Sequence, residues 1–149
     1  MANSKTSSSA DVNRSVTVSN TTRQRISLAR FRGLAQDILQ ELGVELAAIN
    51  IVFVGERRMA TLALRKGKKG ATNVLAFAYR ESSKEVMGDV FLCPSVVARE
   101  AKQYDRTAQE HLVALLIHGI VHLTGETHET DVAYKRMQGL EDRLIKQLT

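Results

Sequence analysis

The chain has 149 residues, of which 44% are hydrophobic and 25% are charged, and its net charge is +5. These values are ordinary for one soluble domain with a workable core. No apolar run approaches the roughly 20 residues that span a membrane, and the single cysteine, Cys93, excludes an internal disulfide. The composition therefore predicts a protein of a reducing compartment, with the cytoplasm as the expected location.

The N-terminal segment differs in composition from the rest. Residues 1–12 are rich in Ser, Asn and Ala and are predicted to form a disordered tail. A role in organelle targeting is the alternative for this tail, because Asp11 is the only acid before Asp37. Residues 13–149 contain no internal repeat and no second boundary, which predicts a single domain.

Hydrophobic periodicity predicts four strands and five helices. In chain order they are a strand at Val16–Val18, a helix at Arg23–Leu42, a strand at Ala48–Val54, a helix at Glu56–Arg65, strands at Val74–Tyr79 and Val86–Leu92, and helices at Val96–Tyr104, Thr107–Leu123 and Asp131–Leu148. This order predicts an α+β fold, with a mixed sheet of about four strands packed by about five helices. The helix at Thr107–Leu123 is apolar nearly all round, which predicts a central, buried position.

The segment His118–His128 is the strongest chemical signal in the chain. It contains three of the four histidines, at spacings of four and six. Residues four apart share one face of a helix, so His118 and His122 can bind one metal ion. Gly125 can take left-handed backbone angles and turn the chain so that His128 reaches the same point. Three neutral nitrogen ligands and an open fourth position are typical of a catalytic zinc site, so we expect one zinc ion per chain on the central helix.

Two further positions qualify this interpretation. Zinc proteases with the pattern H-E-x-x-H-x-x-G-x-x-H carry a glutamate after the first histidine as general base, and Gly119 occupies that position. A peptidase-like hydrolase is therefore disfavoured. His111 lies seven residues before His118, or about 10 Å along a helix. We expect it to be a surface residue or an outer partner of the site rather than a ligand.

The charges are distributed unevenly along the chain. From Glu56 to Arg80 seven Lys or Arg accompany one acid, a net charge of +6, whereas residues 105–149 carry a net charge of −2. A basic middle segment and a metal-binding end predict a polyanion that lies across the metal. A solvated basic loop that only keeps the protein soluble is the alternative.

Three motifs together resemble the YbeY family of metal-dependent endoribonucleases. The segment His118–His128 matches the family's H-G-x-x-H-L-x-G-x-x-H, Thr72–Phe77 resembles its T-[ND]-V-L-S-F, and Gly88–Val90 resembles its G-D-I strand. Glu100 and Ala101 follow in the next helix, as in the family. The resemblance covers roughly residues 16–149.

The resemblance implies a small α+β fold, a zinc ion on the three histidines and cleavage of single-stranded RNA. It also implies a role in ribosomal RNA processing, notably at the 3′ end of the small-subunit RNA, and in ribosome quality control. The expected partners are therefore single-stranded ribosomal RNA and the ribosome or its small-subunit proteins, and no membrane. A ribosome-associated RNA-binding factor with a structural metal and little hydrolytic activity is the alternative.

The resemblance also assigns substrate-binding residues. The family has an arginine six residues before the threonine of its second motif, which falls on Lys66 without a gap and on Arg65 if the loop is one residue longer. We favour Arg65, because a guanidinium binds phosphate through two hydrogen bonds where lysine offers a point charge. Lys66, Lys68 and Lys69 are expected to follow the RNA strand.

Three positions depart from the family pattern. Thr127 stands where the family usually has Asp before the third histidine, with Glu126 before it, while Ala76 and Ala78 replace the family's Ser and frequent Pro. With Gly119 in place of the protease glutamate, the expected base is the metal hydroxide itself or Glu126, with Glu129 a weaker candidate.

Overall fold

The computed structural model describes residues 12–80, 84–126 and 129–148, and residues 1–11 of the predicted tail lie outside these ranges. The described residues form four strands and five helices. In chain order they are β1 (Asn13–Asn20), α1 (Leu28–Glu41), β2 (Leu46–Phe53), α2 (Glu56–Leu64), β3 (Val74–Arg80), β4 (Glu85–Leu92), α3 (Pro94–Gln103), α4 (Ala108–Leu123) and α5 (Asp131–Leu148).

The four strands form one mixed sheet in the order β1-β2-β4-β3. β2 pairs in parallel with β1 and with β4, while β3 pairs antiparallel with β4. The predicted α+β fold with a mixed four-stranded sheet and five helices is confirmed. β3 lies at one edge of the sheet, so one side of its backbone has no neighbouring strand among the described residues.

The two faces of the sheet bury different amounts of apolar surface. The main core lies on the face covered by α1, α4 and α5, where alternate residues of β2 such as Ile49, Ile51 and Phe53 are buried. A smaller cluster lies on the opposite face beneath α2 and includes Met59 and Phe91. Alternation along each strand assigns neighbouring residues to opposite faces, so the sheet is covered fully on one side and partly on the other.

Helix α4 has the central position that its apolar sequence predicts. It begins with a capping box, in which the Glu110 amide donates to the Thr107 hydroxyl at 3.0 Å and the Thr107 amide donates to the Glu110 carboxylate at 2.8 Å. The helix then contacts α1, α3, α5, β3 and β4. Although the surface of α4 is largely apolar, neither it nor any other helix within the described ranges is long and apolar enough to cross a membrane.

Two glycines allow α4 to lie directly on the β3–β4 hairpin. A Cβ atom at Gly88 would stand 2.5 Å from the Phe77 carbonyl oxygen and 2.7 Å from Leu123 Cδ2, and one at Gly119 would stand 2.8 Å from Val90 Cγ1. These distances leave no room for a side chain at either position. The close approach holds the C-terminal half of α4, with its histidines, beside β3.

Two elements, β1 and α1, begin more than two residues away from the positions that periodicity predicts. Helix α1 begins at Leu28 rather than residue 23, because the Asn20 side chain accepts from the Thr22 amide at 2.9 Å and donates to the Gln24 carbonyl at 2.7 Å. This turn competes with helix formation, and Ser27 then caps the helix through the Arg30 amide at 3.3 Å. β1 is eight residues long because it pairs with β2 throughout, although it buries only two apolar side chains.

Candidate metal centre

Two histidines stand one turn apart in the C-terminal half of α4. The ring centroids of His118 and His122 are 4.7 Å apart, and the ring planes are inclined at 83°. Both side chains line one cavity. The i, i+4 spacing therefore brings two imidazoles to one point of the surface.

Each ring is oriented through its Nδ1 atom. His122 Nδ1 lies 3.0 Å from the backbone oxygen of Glu126, and since a carbonyl oxygen only accepts, Nδ1 carries the proton. His118 Nδ1 lies 3.0 and 3.1 Å from the two carboxylate oxygens of Glu141, which favours the same tautomer. In each neutral ring the lone pair then resides on Nε2. Metal-binding histidines usually donate their other ring N–H in this way, so the pair fits a metal ion.

Glu141 is the residue of this site that the sequence does not reveal by a motif. It lies on α5, 23 residues from His118, and its side chain is only 18% exposed. It follows Met137 by four positions and precedes Leu144 by three, and both of these are buried. An acid on the apolar face of an amphipathic helix is a usable signal for a buried role. The sequence does not show that its partner is His118, because the two residues are far apart along the chain.

The chain turns after α4 as the sequence predicts. Gly125 has a φ of +95°, and its amide donates to the His122 carbonyl at 3.0 Å. Thr127 and His128 lie outside the described residues. Within residues 12–80, 84–126 and 129–148, no three His, Cys, Asp or Glu side chains converge to hold a metal. The third ligand therefore stays a prediction.

Gly119, which occupies the position of the general base in zinc proteases, faces the sheet. A Cβ atom at Gly119 would meet Val90 Cγ1 at 2.8 Å and Val74 Cγ2 at 3.4 Å. A glutamate there has no space in this packing, so the base of a zinc protease is excluded by the contact between α4 and the sheet.

A cavity of about 570 Å³ opens beside the two histidines. Its walls are the edge of β3, the end of α4 and the segment after it, and the basic loop after α2. Of the predicted site residues outside the metal ligands, Lys66, Lys68, Glu126 and Glu129 line it. The structure thus brings two lysines and two acids together around the histidines.

Arg65 and Lys69 are not among the residues that line this cavity. The Arg65 guanidinium carbon lies 5.4 Å from the centroid of the Phe77 ring, and Lys66 Nζ lies 4.8 Å from the same centroid. Both cations therefore lie within cation–π distance of the Phe77 ring, but only Lys66 also lines the cavity.

His111 is buried rather than at the surface, with 5% of its area exposed. Its Nε2 lies 3.1 Å from the Glu100 carboxylate. The residue is part of a second hydrogen-bonded group, which reaches the cavity through Asn73.

The fold and the site define a class of small α+β domain in which a central helix carries a histidine pair beside a cavity lined by lysines and acids. The family model for the endoribonuclease YbeY matches residues 17–149. The chain therefore belongs to the YbeY endoribonuclease family, which confirms the resemblance carried by its three motifs.

Curated relatives and one solved structure agree with this family. The endoribonuclease YbeY of Cupriavidus necator is 38% identical over 104 residues, which are 68% of this chain and 52% of the relative. That of Polynucleobacter asymbioticus is 37% identical over 103 residues, 69% of this chain and 66% of the relative. The chain thus spans about half to two thirds of the length of these relatives. The solution structure of TM1509 from Thermotoga maritima has the same fold, with a TM-score of 0.66, 23% identity and coverage of 88% and 87% of the two chains.

Proposed function

We propose that this protein is a metal-dependent endoribonuclease specific for single-stranded RNA. In this proposal it processes ribosomal RNA at the 3′ end of the small-subunit RNA, acts in ribosome quality control and works on the ribosome in the cytoplasm. The observation that carries the proposal is the pair His118 and His122, with both Nδ1 atoms engaged, in the wall of a cavity that Lys66 and Lys68 also line. Membership of an endoribonuclease family supports RNA as the substrate.

His118, His122 and His128 are the proposed ligands of one zinc ion. When bound, this ion supplies Lewis acidity and makes water a stronger nucleophile at neutral pH. Glu141 holds the His118 ring in the orientation and tautomer that ligation requires. The Glu126 carbonyl does the same for His122.

The remaining side chains of the cavity bind and orient the RNA strand. Lys66 and Lys68 neutralise phosphate groups as the strand passes the histidines. Arg65 and Lys69 extend the same basic loop outside the cavity and contact phosphates further along the strand. Glu126 lies in the cavity wall, where its carboxylate can accept the proton of the attacking hydroxyl group.

The test is cleavage of an end-labelled single-stranded RNA by the full chain, compared with a duplex of the same sequence. We expect cleavage of the single strand only, its loss on addition of a chelator and its return with zinc. His118→Ala should keep the melting temperature of the metal-free protein and lose cleavage. Unfolding of this variant, or intact folding and metal binding in a wild type that does not cut, would favour a binding factor with a structural metal.

A further inference from the structure

A chain of hydrogen bonds connects the interior of the protein to the cavity wall. His111 is the one buried polar or charged residue among those that the structure describes. Its Nε2 lies 3.1 Å from Glu100 Oε1, and the same oxygen accepts from Asn73 Nδ2 at 2.8 Å. On the other side of the ring, Nδ1 lies 3.4 Å from a guanidinium nitrogen of Arg106. Tyr104 covers the ring, with a centroid separation of 5.4 Å.

The partners of His111 define its proton positions. The Glu100 carboxylate accepts, so Nε2 carries the proton, and an arginine only donates, so Nδ1 carries the lone pair. The ring is thus held from both sides in one tautomer. The His111 Nε2–H group donates to Glu100 Oε1 and so fixes the position of that oxygen. The same oxygen can then accept from the Asn73 amide.

The Asn73 carboxamide is fixed at both ends. Its Nδ2 donates to Glu100 at 2.8 Å, and its Oδ1 accepts from the Val74 amide at 2.6 Å. Asn73 lines the cavity that contains the histidine pair. One N–H of the carboxamide donates to Glu100, and the second N–H has no hydrogen-bond partner among the described residues. A carboxylate on one N–H polarises the amide and strengthens it as a donor.

We propose that Asn73 donates a hydrogen bond to a phosphodiester oxygen of the RNA strand in the cavity, and that Glu100 and His111 are positioning residues for it. The inference rests on the proposed function, because it takes RNA as the substrate. A phosphate is the favoured acceptor since Lys66 and Lys68 line the same cavity, and asparagine is a common phosphate contact in nucleic-acid complexes. Such a contact is independent of the base sequence.

The first test measures the affinity of the full chain for labelled 2′-O-methyl oligomers of uridine, adenosine and cytidine by fluorescence anisotropy. Asn73→Ala should bind all three about tenfold more weakly, because a hydrogen bond to a charged group is lost. Asn73→Ser should lose affinity equally while it keeps an oxygen for the Val74 amide. Ser95→Ala is the matched neutral control, because Ser95 of α3 donates a hydrogen bond to Glu56 of α2 and neither residue lines the cavity. This variant should bind like wild type.

The second test separates positioning from charge. Removal of the Glu100 charge alone should strengthen RNA binding, whereas we expect Glu100→Ala to weaken it about tenfold, as Asn73→Ala does. The double variant should be no weaker than either single one. Glu100→Gln should bind at least as tightly as wild type, because it removes the charge while its side-chain oxygen can still accept from both Asn73 and His111.

The outcomes separate this inference from the proposed function. Wild type that binds none of the oligomers would overturn both. Wild-type binding with Asn73→Ala and Asn73→Ser within twofold of it would overturn the inference alone. So would a loss confined to one base, which indicates readout of the base, or equal losses in Glu100→Gln and Glu100→Ala.

Discussion

Glu141 orients the ring of His118 through its carboxylate. Its carboxylate lies 3.0 and 3.1 Å from His118 Nδ1 and is mostly shielded from solvent. A hydrogen bond of this kind limits ring rotation and stabilises the tautomer with the lone pair on Nε2. In the proposed zinc site, Glu141 would therefore contribute to metal affinity without being a ligand.

Replacing Glu141 should weaken metal binding while the fold persists. We expect Glu141→Ala to lower zinc affinity roughly 10- to 100-fold, the range found when outer partners of metal ligands are removed. Asp142→Ala, which removes the same charge from the next, exposed position of α5, is the control. Competition with a chromogenic chelator measures both affinities, and equal affinities in the two variants would contradict this role.

The sequence predicts the proposed metal ligands more readily than the residues that support them. His118 and His122 are predictable because helical period alone brings them together. Glu141 and Glu100 are not, since their partners lie 23 and 11 residues away and only tertiary packing joins them. His111 is predicted to be a surface residue or an outer partner of the site, and the structure buries it, with Glu100 and Arg106 as partners of its two ring nitrogens.

At the scale of elements, the contact between α4 and the sheet positions the site. Gly119 of α4 and Gly88 of β4 both lie at this contact, and neither leaves space for a Cβ atom. Since Val90 is branched at Cβ, its methyl groups cannot swing aside at little cost. The glycine of the H-G-x-x-H pattern is therefore required by the packing of α4 on the sheet, whereas the two histidines provide the chemical groups.

A methyl group at Gly119 should destabilise the protein. We expect Gly119→Ala to lower the free energy of unfolding by about 1–3 kcal/mol, because the added carbon would stand 2.8 Å from Val90 Cγ1. Gly139, inside α5 with nothing within 4 Å of a Cβ atom, is the matched control. Gly139→Ala should raise stability by up to about 1 kcal/mol, because alanine favours the helix. Urea denaturation measures both, and an equal gain in both variants would refute the tight contact.

An ion pair joins the first turn of α2 to α3. Arg99 donates to Glu56 at 2.8 and 3.1 Å, and Ser95 donates to it at 2.6 Å. The Arg99 hydrogen bonds, followed by that of Ser95, lower the pKa of Glu56 from 4.5 to about 2. Both charged side chains are more than two-fifths exposed, so the gain in stability is small.

The contribution of Glu56 should depend on pH in one direction. A lowered pKa means that the stabilisation is complete above pH 4.5 and is lost as the pH falls toward about 2. Glu56→Gln should therefore melt below wild type at pH 7, and the difference should shrink to nothing near pH 2. Thermal melts from pH 7 to pH 2 provide the check, and a difference that grows on acidification would have the wrong sign.

Element boundaries were predictable where apolar period was clear and not where polar side chains set them. The strands β2, β3 and β4 begin and end within about two residues of the predicted positions. The alternation is clearest in β2, which buries Ile49, Ile51 and Phe53. Helix α1 starts later than predicted because Asn20 and Ser27 use their side chains to form a turn and a cap. Periodicity of apolar residues contains no information on such local hydrogen bonds.

For the whole molecule, the charge distribution predicts how RNA binding responds to salt. Lys66 and Lys68 line the cavity, whereas Lys102 is exposed at the end of α3. Each lost phosphate contact should reduce the slope of log affinity against log salt by about 0.7 for a single strand. We expect this decrease in Lys66→Ala and in Lys68→Ala and none in Lys102→Ala. Anisotropy titrations at several salt concentrations test this, and three equal slopes would argue against phosphate contacts in the cavity.

The most direct test of the account measures metal content and RNA cleavage on one preparation of the full chain, purified without a metal-affinity tag. Wild type should contain about one zinc ion per chain and should cut single-stranded RNA in a chelator-sensitive manner. His122→Ala should lose both the metal and the cleavage while its circular dichroism spectrum remains that of the metal-free wild type. Cleavage that persists without metal, or zinc that His122→Ala retains in full, would contradict the claim that the histidines of α4 hold a catalytic metal.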